Sequence, residues 1–215
     1  MRPGASERLR GKPLAETFRC PGGALCLDFC NSGQGARSPS KEEWLTGFAD
    51  LIDWLEAAGA IEAAHAARLR KAGKESPKAA QELWLRALRF REALARIFMA
   101  KTEARGADQA DLATIHAEHA RTASHARLAP TADGFAWGVD TKSAALDAAL
   151  RPLSSSAVEL LTSSRLARLR RCGNETCYWL FLDETRNRSR RWCEMASCGN
   201  LMKVRRHRAK QHRSA

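Results

Sequence analysis

From residue 40 to residue 163 the apolar positions recur every three to four residues, the rhythm of amphipathic helices. Ser40 and Glu43 have capping-box spacing, hydroxyl and carboxylate each able to satisfy a free backbone N–H at the other's end. Trp44, Leu45, Phe48, Leu51, Ile52 and Leu55 then share one face, and Gly59 ends that helix. An Ala-rich helix is predicted from Ile61 to Ala72, with Gly73 as its C′ residue. Ser76-Pro77 starts a long helix, because proline in the first turn needs no N–H partner. It runs to about Ala104, with Leu83, Ala87, Phe90, Leu94, Ile97 and Phe98 as its apolar stripe. Gly106 stops it, and Asp108 caps a further helix ending near Ser124. A last helix spans roughly Lys142 to Ser163, where Pro152 kinks it or splits it in two.

Two stretches have a period of two instead. Leu25, Leu27 and Phe29 alternate with Cys26, Asp28 and Cys30, between Gly22-Gly23 and Asn31-Ser32-Gly33, which reads as a strand. Arg127 to Pro130, a turn with Asp133-Gly134, and Phe135 to Val139 read as a hairpin. The order strand, helices, hairpin, helix predicts an α+β fold, a mostly helical N-terminal domain with a small antiparallel sheet. No Gly-rich phosphate loop, G-x-S-x-G or H-E-x-x-H is present. Residues 1–20 are read as a mobile leader: basic, broken by Pro3, Gly4, Gly11 and Pro13, without the apolar core of a secretory signal. No apolar run approaches the ~18–20 residues of a membrane span.

After residue 164 the pattern changes. Cys172 and Cys177 are separated by four residues, as are Cys193 and Cys198. Two close pairs of thiolates can surround Zn²⁺ tetrahedrally, and four sulfurs leave no open position, so one structural rather than catalytic zinc is expected. Gly173 and Gly199 follow a ligand each, where glycine permits a tight turn, φ > 0 if needed, and N–H groups aimed at sulfur. Trp179 and Phe181 alternate with Leu180 and Leu182 in a predicted strand, and Cys198 opens a helix through about His212. Knuckle, hairpin and ligand-bearing helix together suggest a treble-clef-like zinc ribbon, with a core too small to hold without metal.

Charge sharpens that reading. The chain carries a net +12, and +10 of it falls between Arg165 and Ala215. Four thiolates and one Zn²⁺ contribute about −2, so the segment remains strongly basic. Arg186, Arg188, Arg190 and Arg191 precede Cys193; Lys203, Arg205, Arg206, Arg208, Lys210 and Arg213 lie on the final helix, which has only Leu201, Met202 and Val204 to bury. Such a surface neutralises phosphates and releases counterions, pointing to nucleic acid, with duplex DNA the first expectation. The helix lacks the apolar face that membrane-surface binding needs. Cys20, Cys26 and Cys30 have no fourth ligand at a familiar spacing and read as small buried hydrophobes; His116, His119 and His125 read as an ordinary helix face. Asp28 and Asn31 either line an N-terminal pocket or make turn hydrogen bonds.

Arg171-Cys172, Cys177 through Asp183, Ser189 through Met195, Cys198-Gly199-Asn200 and Lys203 resemble the CGNR zinc finger family of bacterial proteins. That family is named for a Cys-Gly-Asn-Arg tetrad, and here the fourth position is Leu201, so the contact of the family arginine is absent or falls to Lys203 or Arg205. Gly23 through Asn31 and the Trp44–Leu55 helix resemble the stress-induced transcription regulator (ABATE) domain that precedes this finger. The resemblance implies a mixed α/β domain over residues 21–164, a treble-clef zinc unit over 165–215, and a role in transcription regulation. Three classes follow in order: a cytoplasmic, nucleoid-associated DNA-binding regulator whose N-terminal domain senses a ligand or partner; an RNA-binding or protein–protein module; and, last, an enzyme, since no nucleophile–base pair or open metal site is visible.

Overall fold

The computed structural model describes residues 19–33, 43–140 and 145–211. Within them the chain runs α1 (Leu25–Asn31), α2 (Phe48–Ala57), α3 (Ala63–Glu75), α4 (Pro77–Thr102), α5 (Gln109–Ala123), β1 (Ala126–Thr131), β2 (Gly134–Val139), a 3₁₀ turn (Leu146–Leu150), α6 (Arg151–Thr162), a second 3₁₀ turn (Ser164–Arg168), β3 (Leu169–Arg171), β4 (Leu180–Leu182), a π turn (Met195–Gly199) and α7 (Asn200–Gln211). The described residues are mostly helical, with two separate two-stranded antiparallel sheets among them. No described helix is long and apolar enough to cross a membrane.

Local signals account for the helices that stand where expected. Pro77 occupies N1 of α4, and the 26-residue helix forms the spine against which α2, α3 and α5 pack. The Asp108 carboxylate accepts the Ala110 N–H and caps α5. Pro152 splits its predicted helix: a 3₁₀ turn precedes α6, and the proline sits in the first turn of α6, where its missing N–H costs nothing. Lys142 lies outside the described residues. The hairpin forms with the register Thr131↔Gly134 to Ala126↔Val139.

Four expectations are corrected. Residues 25–31 form a helix, not a strand. All but Leu25 are buried, so the segment is enclosed on every side and its alternation carries no information about period. The capping box does not form at Glu43; Ser40 lies outside the described residues, and α2 begins only at Phe48. The Glu43 carboxylate instead pairs with Arg91, whose side chain is 1% exposed, and accepts the Leu45 N–H at 2.9 Å. A buried guanidinium without a carboxylate costs more than an unmade cap. Gly73 is interior to α3, not its C′ residue: a Cβ there would lie 2.4 Å from the Phe48 ring. Cys26 and Cys30 are buried as expected, but Cys20 is exposed.

The C-terminal strands are not a separate layer. Leu169, Leu180 and Leu182 belong to the same apolar cluster as Leu27, Phe29, Leu94 and Leu153. Side chains alternate across a strand, so Phe181 points the other way, against Cys172, Cys193 and Cys198. β4 is one strand with an N-terminal core on one face and the cysteines on the other.

Candidate metal centre and basic surface

The four cysteine sulfurs lie within 4.8 Å of one another, with Cys177 Sγ and Cys193 Sγ 3.8 Å apart. Zn–S bonds of ~2.3 Å arranged tetrahedrally require sulfur–sulfur edges of about 3.8 Å, so this donor set fits one zinc with a closed shell. Among the described residues no other group of three or more His, Cys, Asp or Glu side chains gathers in this way. Left to themselves the sulfurs oppose one another's ionisation: the Cys172 sulfur pushes the Cys177 and Cys193 thiols up. A divalent cation reverses that repulsion, which ties metal binding to proton release and to folding.

Local structure places each ligand. In the knuckle, Asn174 is buried; its carbonyl accepts the Cys177 N–H at 2.8 Å, its side-chain oxygen accepts Thr176 N–H and Oγ1, and its Nδ2 donates to Cys198 Sγ at 3.5 Å. The Cys193 N–H donates to Cys172 Sγ at 3.5 Å. These two donors offset thiolate charge. The glycines act otherwise than expected. Neither Gly173 nor Gly199 has φ > 0, and their N–H groups go to the Arg191 and Glu194 carbonyls. They allow close approach instead: a Cβ on Gly173 would lie 3.0 Å from the Trp192 ring, and one on Gly199 would lie 3.1 Å from the Trp192 ring and against the flexible end of Met195. Cys198 falls in the π turn that leads directly into α7.

The loop between β4 and Cys193 is organised by Asp183, a role the sequence reading missed. Its carboxylate accepts Thr185 Oγ1 and N–H and the Arg190 N–H, and these bonds, the Thr185 hydroxyl first, hold its carboxyl below the usual range. An aspartate two residues before a hydroxyl residue signals such an Asx turn. Arg188 takes a left-handed φ of 52° within this loop.

The basic candidates separate into two groups. Arg190 is turned inward. It donates to the carbonyls of Pro21, Leu182, Trp192 and Cys193, and its guanidinium lies 4.2 Å from the Phe181 ring centroid. Arg186, Arg188, Arg191, Lys203, Arg205, Arg206 and Arg208 are all exposed, and none pairs with a described carboxylate; Arg191 stacks on Trp192. Lys210 lies in α7, and Arg213 lies outside the described residues. From Lys203 to Ala209 every residue of α7 is exposed, so the helix is held at its zinc end and projects from there.

Residues 23–164 match the family described as ABATE, putative stress-induced transcription regulator, and residues 168–211 match the CGNR zinc finger. The chain belongs to the ABATE family. No curated protein matches it. Both matches are of regulator and zinc-finger type, and neither is an enzyme family. Leu201, at the position of the CGNR arginine, is half-buried in the first turn of α7.

In this ABATE chain Asp28 and Asn31 fasten the finger. Asn31 donates Nδ2 to the Leu180 carbonyl at 2.9 Å and accepts the Leu180 N–H at 2.8 Å, closing the outer edge of β4. Asp28 accepts the Gly22 N–H at 2.8 Å, and the Gly22 carbonyl accepts the Leu182 N–H at 2.8 Å. Trp44 meets Trp179 edge to face with ring centroids 6.1 Å apart. A cavity of about 570 Å³ lies along α4 and α5, between Arg86, Arg89, Glu92, Thr114, Glu118 and Arg121.

Proposed function

We propose that this chain is a DNA-binding transcription regulator in which α7 and the 186–191 loop contact duplex DNA. The observation that carries the reading is α7 itself: a helix anchored at a zinc ligand, cationic, exposed on all sides from Lys203 to Ala209, and without described counter-charges there. A helix polar all round gains nothing from a protein core, and phosphates supply what it lacks. Lys203, Arg205, Arg206, Arg208 and Lys210 on the helix, with Arg186, Arg188 and Arg191 on the loop, form the contact surface. We assign Arg190 to positioning that loop.

The division into a leader (1–20), a regulatory domain (21–164) and a treble-clef finger (165–215) belongs to this reading, as does sensing of a ligand or partner by the regulatory domain, with no catalytic step. The clamp at Asn31 and the shared core support it by making any change in α1 felt at β4. The place of action is the nucleoid, in the cytoplasm.

Fluorescence anisotropy of the full-length, zinc-loaded protein with duplex DNA and with single-stranded RNA tests the proposal. Duplex affinity should fall steeply between about 50 and 200 mM salt, and the variant K203A/R206A should flatten the log–log slope by about 2. A folded, zinc-loaded protein that shows no duplex binding at low salt sinks the DNA reading, and preference for RNA replaces it with the RNA reading.

A further inference from the structure

Among the described residues the three most exposed large apolar side chains share one hairpin: Phe135 is 75% exposed, Trp137 69% and Leu128 56%. They also share one face. The register pairs Leu128 with Trp137 and Pro130 with Phe135, and side chains two apart on a strand point the same way. One face of the β1–β2 hairpin therefore presents Leu128 and Pro130 on β1 beside Phe135 and Trp137 on β2. Large apolar side chains exposed as a contiguous patch mark an interaction site, whereas scattered ones do not.

We propose that this face is the dimer interface, and that its occupant is the same face of a second copy of this chain. The area agrees. At these exposures the four side chains leave roughly 500 Å² uncovered, about 1,000 Å² in a symmetric pair, which is the lower limit for a specific interface. The shape agrees as well. A two-fold axis parallel to the strands lays the aromatic strand of one copy over the aliphatic strand of the other, so the patch is complementary to itself. The charge permits it: Arg127 pairs with Asp140 at 3.4 Å, and Asp133 lies at the tip, so the hairpin escapes the cationic character of the C-terminal segment that would repel a second copy.

The same features weigh against two other modes. Counting from the closing pair Thr131↔Gly134, Pro130 stands where its N–H would face away from β2, so the outer edge of β1 lacks a donor and disfavours strand addition. Nucleic acid would stack on the aromatics only with cations beside them, and the hairpin's one arginine is already paired. The inference does not rest on the DNA reading. A dimer would hold two copies of α7 in a fixed relation.

Sedimentation of the full-length, zinc-loaded protein over about 1–100 μM tests it. The expected result is a reversible monomer–dimer equilibrium with a micromolar dissociation constant. The variant F135S/W137S, whose altered side chains are solvent-exposed, should keep the far-ultraviolet circular dichroism of the wild type and weaken association at least tenfold. L112S, on α5, changes another exposed leucine and should leave association unaltered. A wild type that is monomeric throughout overturns the proposal and leaves the face to a different occupant. Equal dimerisation of wild type and F135S/W137S, or equal weakening by L112S, overturns it too.

Discussion

At the scale of single residues, two of the side chains that join the finger to the rest of the protein, Asp28 and Asn31, are polar and buried. Asp28 is the one with a pH signature. Burial pushes its carboxyl up to about 7, against the opposing pull of the Gly22 N–H, the Cys20 thiol and the Arg190 charge. A carboxyl raised on folding prefers its neutral form in the native state. Its contribution to stability is therefore complete below the unfolded value near 3.8 and lost as the pH rises through about 7. D28N keeps an oxygen for the Gly22 N–H and removes the titration. Urea unfolding from about pH 5.5, where the zinc thiolates still hold their metal, to about pH 8 should show a shallower loss of stability in D28N than in wild type. Parallel pH profiles would mean that Asp28 is not perturbed. Arg190 teaches a related lesson. By charge it belongs with its neighbours in the arginine run, yet four carbonyls take up its guanidinium. Nothing local distinguishes it from Arg188 or Arg191.

Elements were legible in proportion to how local their signals are. Pro77, Asp108 and Pro152 each act within a few residues, and the helix starts they predict are the ones that form; the hairpin forms as well, with its turn at residues 132–133 and Gly134 in the closing pair rather than in the turn. The α1 segment misled because burial on all sides erases the difference between periods of 2 and 3.6. Gly73 misled because a glycine near a helix end is read as a cap, while here it admits the Phe48 ring of α2 between two helices. G73A separates the two roles. Alanine in an exposed helix interior gains up to ~1 kcal/mol over glycine, but a Cβ pressed into Phe48 costs about 1–3 kcal/mol. Chemical denaturation should find G73A destabilised by about 1 kcal/mol or more; a stabilised variant would remove the packing explanation.

For the molecule as a whole, the strands of the finger share the apolar cluster of the helical domain, while its cysteines and Phe181 form a second one. A free-standing module of this size would unfold alone when its metal is removed, which the paired cysteine spacing suggests. Leu169, Leu180 and Leu182 are instead part of the main core, and Asn31, Gly22 and Pro21 bond to the finger's backbone or to Arg190. Zinc removal from the full-length protein should therefore lower amide-exchange protection in α1 as well as in residues 169–198. Unchanged protection at Phe29 to Asn31 after verified chelation would show that the two regions are energetically separate.

By itself the sequence determined the four zinc ligands, the cationic final helix, the hairpin and most helix limits. These depend on spacing along the chain, on caps and prolines, and on charge that cannot be neutralised locally. Tertiary structure alone decided that residues 25–31 are helical, that Glu43 serves Arg91 and not a helix end, that Asn31 holds a strand 149 residues away, and that β4 carries a core on each face. The physical reason is common to all four: a buried polar or apolar group takes its meaning from the partner that satisfies it, and for these groups the partner lies far along the chain.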